Sequence, residues 1–154
     1  MDAAPRAFSE LPRDPELGLP VPFACGTGGY GAARDGAAPS VRSLDGRRVT
    51  QCALSRVCGV CGAGLGRPIA FLGSRLEADR NAFHFPPAHV ACAEALLASY
   101  AGITLPVLGQ TEPVRQWVVV TTAGFEFVRA STEDLDRRPT FQPNSILSDT
   151  GSPA

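Results

Sequence analysis

The chain lacks several features that would point to a particular chemistry. It has no lysine, so all fourteen of its basic side chains are arginine, and the formal net charge is −1. We attribute the missing lysine to genomic base composition rather than to a binding property. A charge so close to zero argues against a surface dedicated to coating nucleic acid.

Histidine is scarce as well, since His84 and His89 are the only two in the chain. Acid–base catalysis would therefore have to use mainly aspartate, glutamate, tyrosine or cysteine. No Ser-His-Asp set, paired carboxylates or open metal site can be assembled from the sequence. These absences favour a protein that is not an enzyme.

Long apolar segments are also missing. The first ten residues have no apolar core of the kind found in a secretory signal, and no run approaches the roughly 20 residues that cross a membrane. The five cysteines are an odd number, which fits a reducing compartment better than a disulfide framework. We expect a soluble, cytoplasmic protein that does not associate with a membrane.

Glycine and proline are abundant, with 16 and 14 residues, so much of the chain must be loop. Prolines and charges predict a flexible N-terminal arm over residues 1–16, and polar residues predict a flexible tail over residues 131–154. Residues 17–130 are expected to form a single domain. A glycine-rich stretch at 26–31 lacks the Lys-Ser/Thr of a phosphate-binding loop, and we interpret it as a flexible connection.

Two pairs of metal-binding residue types stand at the centre of this domain. Cys58 and Cys61 are separated by two residues, and so are His89 and Cys92. Two such pairs at this separation are typical of one tetrahedral zinc site. The sequence therefore predicts one structural zinc ion bound by Cys58, Cys61, His89 and Cys92, with no position left for water or substrate.

The surrounding sequence predicts a treble clef over about residues 50–101, in which a knuckle, a β-hairpin and a helix surround the metal. Glycine follows both cysteines of the first pair and lets the chain curl around the ion. Residues 68–73 and 82–85 are short apolar runs suited to the two strands of the hairpin. Two prolines then forbid helix before residue 88, and residues 88–100 are rich in alanine and leucine. The second donor pair is therefore expected in the first turn of a helix.

Other interpretations of the cysteines and histidines stay open. The first cysteine pair could be a redox motif, although no βαβ alternation surrounds it, or its members could be packed as small apolar residues. His84 could replace His89 as the third ligand, but we prefer His89 because it shares a helical turn with Cys92. Cys25 is interpreted as a spectator and Cys52 as a packed thiol.

Further short elements are predicted on either side of the donor residues. An Asp-Gly pair at 45–46 is a two-residue hairpin signal, and Thr50 can cap a helix over residues 51–57. A second hairpin is predicted over about residues 115–129, with Trp117 as an apolar core anchor. The expected fold class is α+β, a small treble-clef zinc module with an additional β-hairpin and irregular termini.

Four stretches of the sequence carry a family resemblance. They are GLPVPF at 18–23, VCGVCG at 57–62, LGRPIAFLG at 65–73 and PPAHVACA at 86–93. With them the chain resembles, over about residues 17–100, a group of small treble-clef zinc-binding proteins of high-GC Gram-positive bacteria and their phages, whose function is mostly unassigned. The resemblance implies a treble-clef metal site at the two donor pairs, and it implies no reaction.

We predict that the chain is a non-catalytic, structural-zinc module that mediates protein or nucleic-acid contacts. The contacts are expected through arginines of the mildly basic central segment, namely Arg42, Arg47, Arg48, Arg56, Arg67 and Arg75. The predicted helix at 88–100 has no arginine or asparagine to read bases, so any contact with nucleic acid should be salt-sensitive. One alternative is a small-molecule metabolic or accessory enzyme with a pocket between the hairpins. A further alternative is a ββα-metal nuclease that uses His84 and Asn81.

Overall fold

The computed structural model describes residues 6–25, 40–136 and 138–151, which form a mixed α+β structure. Its strands belong to one four-stranded sheet. In chain order the elements are α1 (Arg6–Ser9), a 3₁₀ turn (Phe23–Cys25), α2 (Gly46–Ser55), β1 (Ile69–Ser74), α3 (Arg75–Arg80), β2 (Ala88–His89), α4 (Val90–Tyr100), β3 (Trp117–Val128) and β4 (Thr140–Gly151).

The sheet has the strand order β2-β1-β3-β4 and is antiparallel throughout. β1 pairs with β3 along its whole length, from Ile69 opposite Thr122 to Ser74 opposite Trp117. The apolar residues of β1 are buried, as expected of a strand that is covered on both faces. β2 lies at one edge of the sheet and leads directly into α4, so the sheet fixes where that helix begins.

An aromatic cluster joins the sheet to the segment that follows α3. Phe71 stacks on Phe83 with 5.6 Å between ring centroids, and Phe125 and Phe141 lie 5.8 and 6.0 Å from Phe71. Phe83 and Phe141 also exchange two backbone hydrogen bonds of 2.9 and 2.7 Å. Aromatic pairs at these distances stabilise a core beyond the area that they bury. The segment that carries His84 is therefore fixed against β4.

α2 replaces two elements that were predicted around residue 45. Asp45 is buried, and its Oδ1 accepts the backbone N–H groups of Arg47 and Arg48 at 2.9 and 3.4 Å. This makes Asp45 the N-cap of a helix that begins at Gly46. The predicted hairpin at 45–46 and the predicted helix start after Thr50 are therefore wrong. An Asp-Gly pair suits a tight turn and a helix start equally well, and here the side-chain cap decides between them.

The predicted pairing of residues 68–73 with residues 82–85 is also wrong. Ser74 ends β1 and forms a reciprocal capping box with Glu77, so the chain enters α3 at once instead of turning back. Residues 82–85 contain only an isolated bridge at Phe83. The neighbour of β1 on that edge is the two-residue strand β2.

The predicted second hairpin is wrong because β3 continues through residues 123–124, where the sequence indicates a turn. Besides β1, β3 pairs with β4, which lies in the region predicted to be an irregular tail. β4 is an edge strand, and within residues 140–148 only Phe141 and Pro143 are buried. Such a strand has too little apolar periodicity to be distinguished from a polar tail.

The N-terminal residues contact the rest of the domain at several points. The guanidinium of Arg42 donates to the carboxylate of Glu16 at 2.8 Å, and the hydroxyl of Tyr100 donates to the carbonyl of Pro20 at 2.6 Å. The end of α4 is thereby tied to the segment that precedes the 3₁₀ turn. The glycine-rich stretch at 26–31 lies outside the described residues.

Two further observations bear on the sequence predictions. α4 begins at Val90, two residues later than predicted, and ends at Tyr100. Trp117 is only 4% exposed and belongs to the core, as predicted.

Over the parts of the chain that the structure describes, no helix is both long and apolar enough to cross a membrane.

Candidate metal centre

The structure brings together the four residues that the sequence predicts as ligands. The donor atoms of Cys58, Cys61, His89 and Cys92 all lie within 4.8 Å of one another. Nδ1 of His89 is 3.5 Å from the sulfur of Cys61 and 3.7 Å from that of Cys92. A nitrogen and a sulfur bound to one tetrahedral zinc ion are separated by about 3.6 Å, given the usual bond lengths. The cluster is therefore shaped to hold a metal ion.

A tight backbone turn presents the first two donors. The backbone N–H groups of Val60 and Cys61 donate to the sulfur of Cys58 at 3.3 and 3.5 Å, and the N–H of His89 donates to it at 3.4 Å. The turn closes where the N–H of Gly62, at φ +81°, donates to the carbonyl of Cys58 at 2.8 Å. Three amide groups thus surround one thiolate with partial positive charge, which stabilises its ionised form.

Two distant segments hold this turn in place. The backbone N–H of Phe23 donates to the carbonyl of Val60 at 2.9 Å, and the N–H of Gly59 donates to the carbonyl of Pro87 at 2.8 Å. A Cβ atom on Gly62 would lie only 2.9 Å from the ring of Phe23, so the ring packs directly on the glycine. These contacts are long-range, and local sequence patterns could not have revealed them.

The other two donors come from the junction of β2 and α4. His89 is the N-cap residue of α4, and Cys92 lies in the first turn of that helix. The Nε2 atom of His89 lies 2.8 Å from the carbonyl oxygen of Gly64. A carbonyl oxygen can only accept, so Nε2 carries the proton and the lone pair of Nδ1 faces the sulfurs. The carbonyl of Gly64 therefore selects the tautomer that a metal ligand needs.

The three thiols of the cluster differ in acidity. A hydrogen bond from the thiol of Cys92 and the backbone N–H groups outweigh burial and lower the pKa of Cys58 to about 5. The pKa of Cys92 is raised, first because its thiol donates to Cys58 and then by burial, and burial also raises the pKa of Cys61. Cys58 is thus the first thiolate available to a cation. Binding of a divalent cation must displace the protons of the other two thiols, which makes affinity depend on pH.

The remaining cysteines and the other histidine lie outside this cluster. Cys25 and Cys52 are buried; burial raises the pKa of Cys25 and raises that of Cys52 to about 12. Buried thiols of this kind are unreactive. His84 contacts the carboxylates of Glu77 and Asp136 instead of the sulfurs. Of the two histidines, the geometry selects His89 as the candidate ligand.

Most of the arginines predicted to contact a partner interact within the chain. Arg42 forms an ion pair with Glu16 at 2.8 Å, and Arg75 forms one with Asp79 at 3.5 Å. The other contacts involve aromatic rings: Arg48 lies over Phe23 and donates to its carbonyl, and Arg56 lies over Phe125. Arg47 and Arg67 are exposed. The six arginines are thus unequal in their availability to a partner.

Comparison with protein-family models, with curated proteins and with solved structures gave no match for this chain.

Proposed function

We propose that this chain is a structural-zinc module of the treble-clef type that contacts another macromolecule and catalyses no reaction. The observation that carries the proposal is the donor set of Cys58, Cys61, His89 and Cys92, whose donor atoms all lie within 4.8 Å of one another. Three thiolates and an imidazole suit zinc, and a site whose four positions are all filled by protein donors is structural.

The positions of the donors explain what the metal would do. The turn at 58–62 supplies one donor pair, and the junction of β2 and α4 supplies the other. Bound zinc would therefore join the turn to the helix, and through the turn it would also secure the N-terminal segment at Phe23. The free energy of zinc binding at such a link would also be folding free energy.

The treble-clef assignment is supported by the order of the elements. A knuckle with one donor pair comes first, strands follow, and a helix with the second pair comes last. β1 and β2 would be the strands of the clef, with α3 inserted between them, in place of the hairpin predicted from the sequence. The two enzyme alternatives stay predictions. For a nuclease, His84 would first have to leave the two carboxylates that hold its ring.

Cobalt(II) reconstitution tests the donor set directly, because tetrahedral cobalt with thiolate ligands gives strong visible and sulfur charge-transfer absorption. The wild-type chain should give the tetrahedral spectrum, and Cys61→Ser should lose the share of the charge-transfer band that one of three sulfurs contributes. His84→Ala is the matched control and should leave the spectrum unchanged. A weak, octahedral spectrum for the wild type would overturn the proposal.

The partner would be a protein or a nucleic acid, reached through exposed arginines such as Arg47 and Arg67. Fluorescence anisotropy with a labelled oligonucleotide at increasing salt separates the two classes. Binding that weakens with salt and falls in the Arg47→Ala/Arg67→Ala double variant would assign nucleic acid. Arg75→Ala, which removes an arginine paired with Asp79, is the control. An absence of salt-dependent binding would leave protein as the partner class.

A further inference from the structure

A second cluster of ionisable side chains lies in a cleft that the metal centre does not share. The cleft has a volume of about 290 Å³ and lies between α3, the segment around His84 and the connection from β3 to β4. Glu77, His84, Asp136 and Arg138 line it and contact one another.

The carboxylate of Glu77 is buried in this cluster and held in place by several hydrogen bonds. It is only 7% exposed, and its Oε1 accepts the N–H of Ser74 at 3.1 Å and the amide of Gln110 at 2.8 Å. Its Oε2 accepts both the backbone N–H and Nδ1 of His84, at 3.1 and 3.0 Å. Burial raises the pKa of Glu77, but the hydrogen bonds from His84, Gln110 and Ser74 outweigh it and hold the pKa below its usual range. The carboxylate is therefore ionised, and it fixes the imidazole ring.

The ring of His84 has a carboxylate at each nitrogen. Nδ1 is 3.0 Å from Glu77, and Nε2 is 3.2 Å from Oδ2 of Asp136. Ionised carboxylates only accept hydrogen bonds, so the ring that satisfies both distances carries a proton on each nitrogen. His84 is thus a hydrogen-bond donor that the buried carboxylate of Glu77 holds at Nδ1, with Nε2 directed at the oxygen of Asp136.

The carboxylate of Asp136 fills a set of donors that converge in the cleft. Besides Nε2 of His84, it accepts from Arg138 through the backbone N–H at 3.0 Å, Nε at 3.0 Å and a terminal guanidinium nitrogen at 2.8 Å. The guanidinium of Arg138 is held in turn by the carbonyl of Gly109, and the ring of His84 is held by Glu77. Asp136 and Arg138 both lie on the connection from β3 to β4, but the side chain of Asp136 is 47% exposed and that of Arg138 is 22% exposed. Two donor side chains are thus held by other segments of the fold, whereas their acceptor is the more exposed group.

We propose that these donors form a binding site for a phosphate group and that the carboxylate of Asp136 is its internal occupant. An imidazolium and a guanidinium fork are the groups that proteins use to bind oxyanions. Arg80 and Arg129 line the same cleft and add two positive charges, which favours a phosphate dianion over a carboxylate. The remaining acid of the cleft, Asp134, uses Oδ2 to accept the N–H of Ser131 at 2.8 Å. A phosphorylated ligand would displace Asp136 and take its four hydrogen bonds.

Titration of inorganic phosphate, followed by ¹H–¹⁵N NMR of the histidine rings, tests this site. The chain has only two histidines, so the ring signals of His84 report the cleft and those of His89 serve as an internal reference. Ionic strength is held constant with sodium chloride. In Asp136→Ala the internal occupant is gone, and phosphate should shift the His84 signals saturably with an affinity at least about tenfold higher than in the wild type. The His89 signals should not move.

Two control variants and one replacement variant complete the experiment. Glu133→Ala removes the same charge from the same exposed stretch and should behave like the wild type. Arg138→Ala added to Asp136→Ala should abolish saturation. Asp136→Asn keeps the shape of the side chain and provides the same test, with a smaller gain, if Asp136→Ala does not fold. Equal responses of Asp136→Ala and Glu133→Ala would overturn the proposal. Acetate binding as tightly as phosphate would overturn the assignment to a phosphate group.

Discussion

The two histidines of this chain lie in contrasting environments. His89 donates from Nε2 to a neutral carbonyl oxygen, that of Gly64, and turns Nδ1 toward three sulfurs. His84 donates from Nδ1 to the charged carboxylate of Glu77 and meets a second carboxylate at Nε2. The first environment turns the lone pair of Nδ1 toward the sulfurs, which suits a metal ion. The second sets an acceptor at each ring nitrogen, so that Nε2 faces the place of an anion.

The two environments indicate that the acceptor bound to one ring nitrogen determines what the other nitrogen can bind. A carbonyl fixes the tautomer without adding charge, whereas a buried carboxylate places a negative charge against the ring. Variants that disrupt one site and leave the other intact should therefore have distinct effects.

Loss of a metal ligand should have the largest effect. Cys92→Ser should abolish zinc binding and lower the free energy of unfolding by more than about 3 kcal/mol, because the free energy of binding structural zinc is also folding free energy. Cys52→Ser is the matched control, since Cys52 is equally buried but lies outside the cluster. Urea denaturation followed by circular dichroism measures both variants. Equal, small destabilisation of the two would contradict a structural metal site.

Replacing each histidine in turn should show that the two sites are independent. His89→Ala should reduce zinc affinity by at least about tenfold, and His89→Cys should restore it, because four cysteines also form a zinc site. His84→Ala should leave zinc affinity unchanged and destabilise the fold by about 1–3 kcal/mol, since Glu77 and Asp136 each lose a donor. Competition with a chromophoric chelator measures the affinities. Weaker zinc binding in His84→Ala would mean that the two sites are not independent.

The ionised Glu77 should make stability depend on pH in a specific direction. The pKa of Glu77 is lowered in the folded chain. Its contribution to the free energy of unfolding is therefore fully present above about pH 4.3, the usual pKa of glutamate, and is lost as the pH falls through the lower pKa of the folded chain. The free energy of unfolding of the wild type should therefore exceed that of Glu77→Gln by about 1–3 kcal/mol near neutral pH. This difference should become smaller in acid. The difference between the two proteins is the quantity to measure, because acid also displaces metal from both. A difference that does not change with pH would contradict the assignment, and Glu126→Gln at an exposed position is the control.

The smallest effect should come from the turn that presents the cysteines. Gly62→Ala should destabilise by about 1–2 kcal/mol, because alanine disfavours φ +81° and its Cβ would lie 2.9 Å from the ring of Phe23. Gly66→Ala should have almost no effect, since a Cβ there meets nothing within 4 Å. Thermal melts of the two variants provide the comparison, and equal melting temperatures would contradict the role assigned to Gly62.

The metal cluster could be predicted from the sequence because its information is local. The two-residue gaps fix each donor pair, and the prolines at 86–87 separate the second pair from the preceding chain. The helix that carries Cys92 was predicted to within two residues for the same reason.

The strand pairing and the second site could not be predicted, since both depend on residues far apart in the sequence. Within residues 140–148, β4 exposes Ile146 and Leu147 and buries only Phe141 and Pro143, so no sequence pattern marks it as a partner of β3. Glu77 and His84 come close to Asp136 only once the β3–β4 connection crosses their segment. Local sequence patterns give the spacing of the metal donors. They do not show which distant carboxylate will contact a histidine.

The central claim is that the donor cluster holds a structural zinc ion, and its most direct test is the metal content of the purified chain combined with a thermal melt before and after chelation. We expect about one zinc ion per chain and loss of the cooperative melt once a chelator removes it. A chain that contains no zinc, or one that gives up its zinc with an unchanged melting temperature, would contradict a structural metal site and return Cys58 and Cys61 to redox or catalytic interpretations.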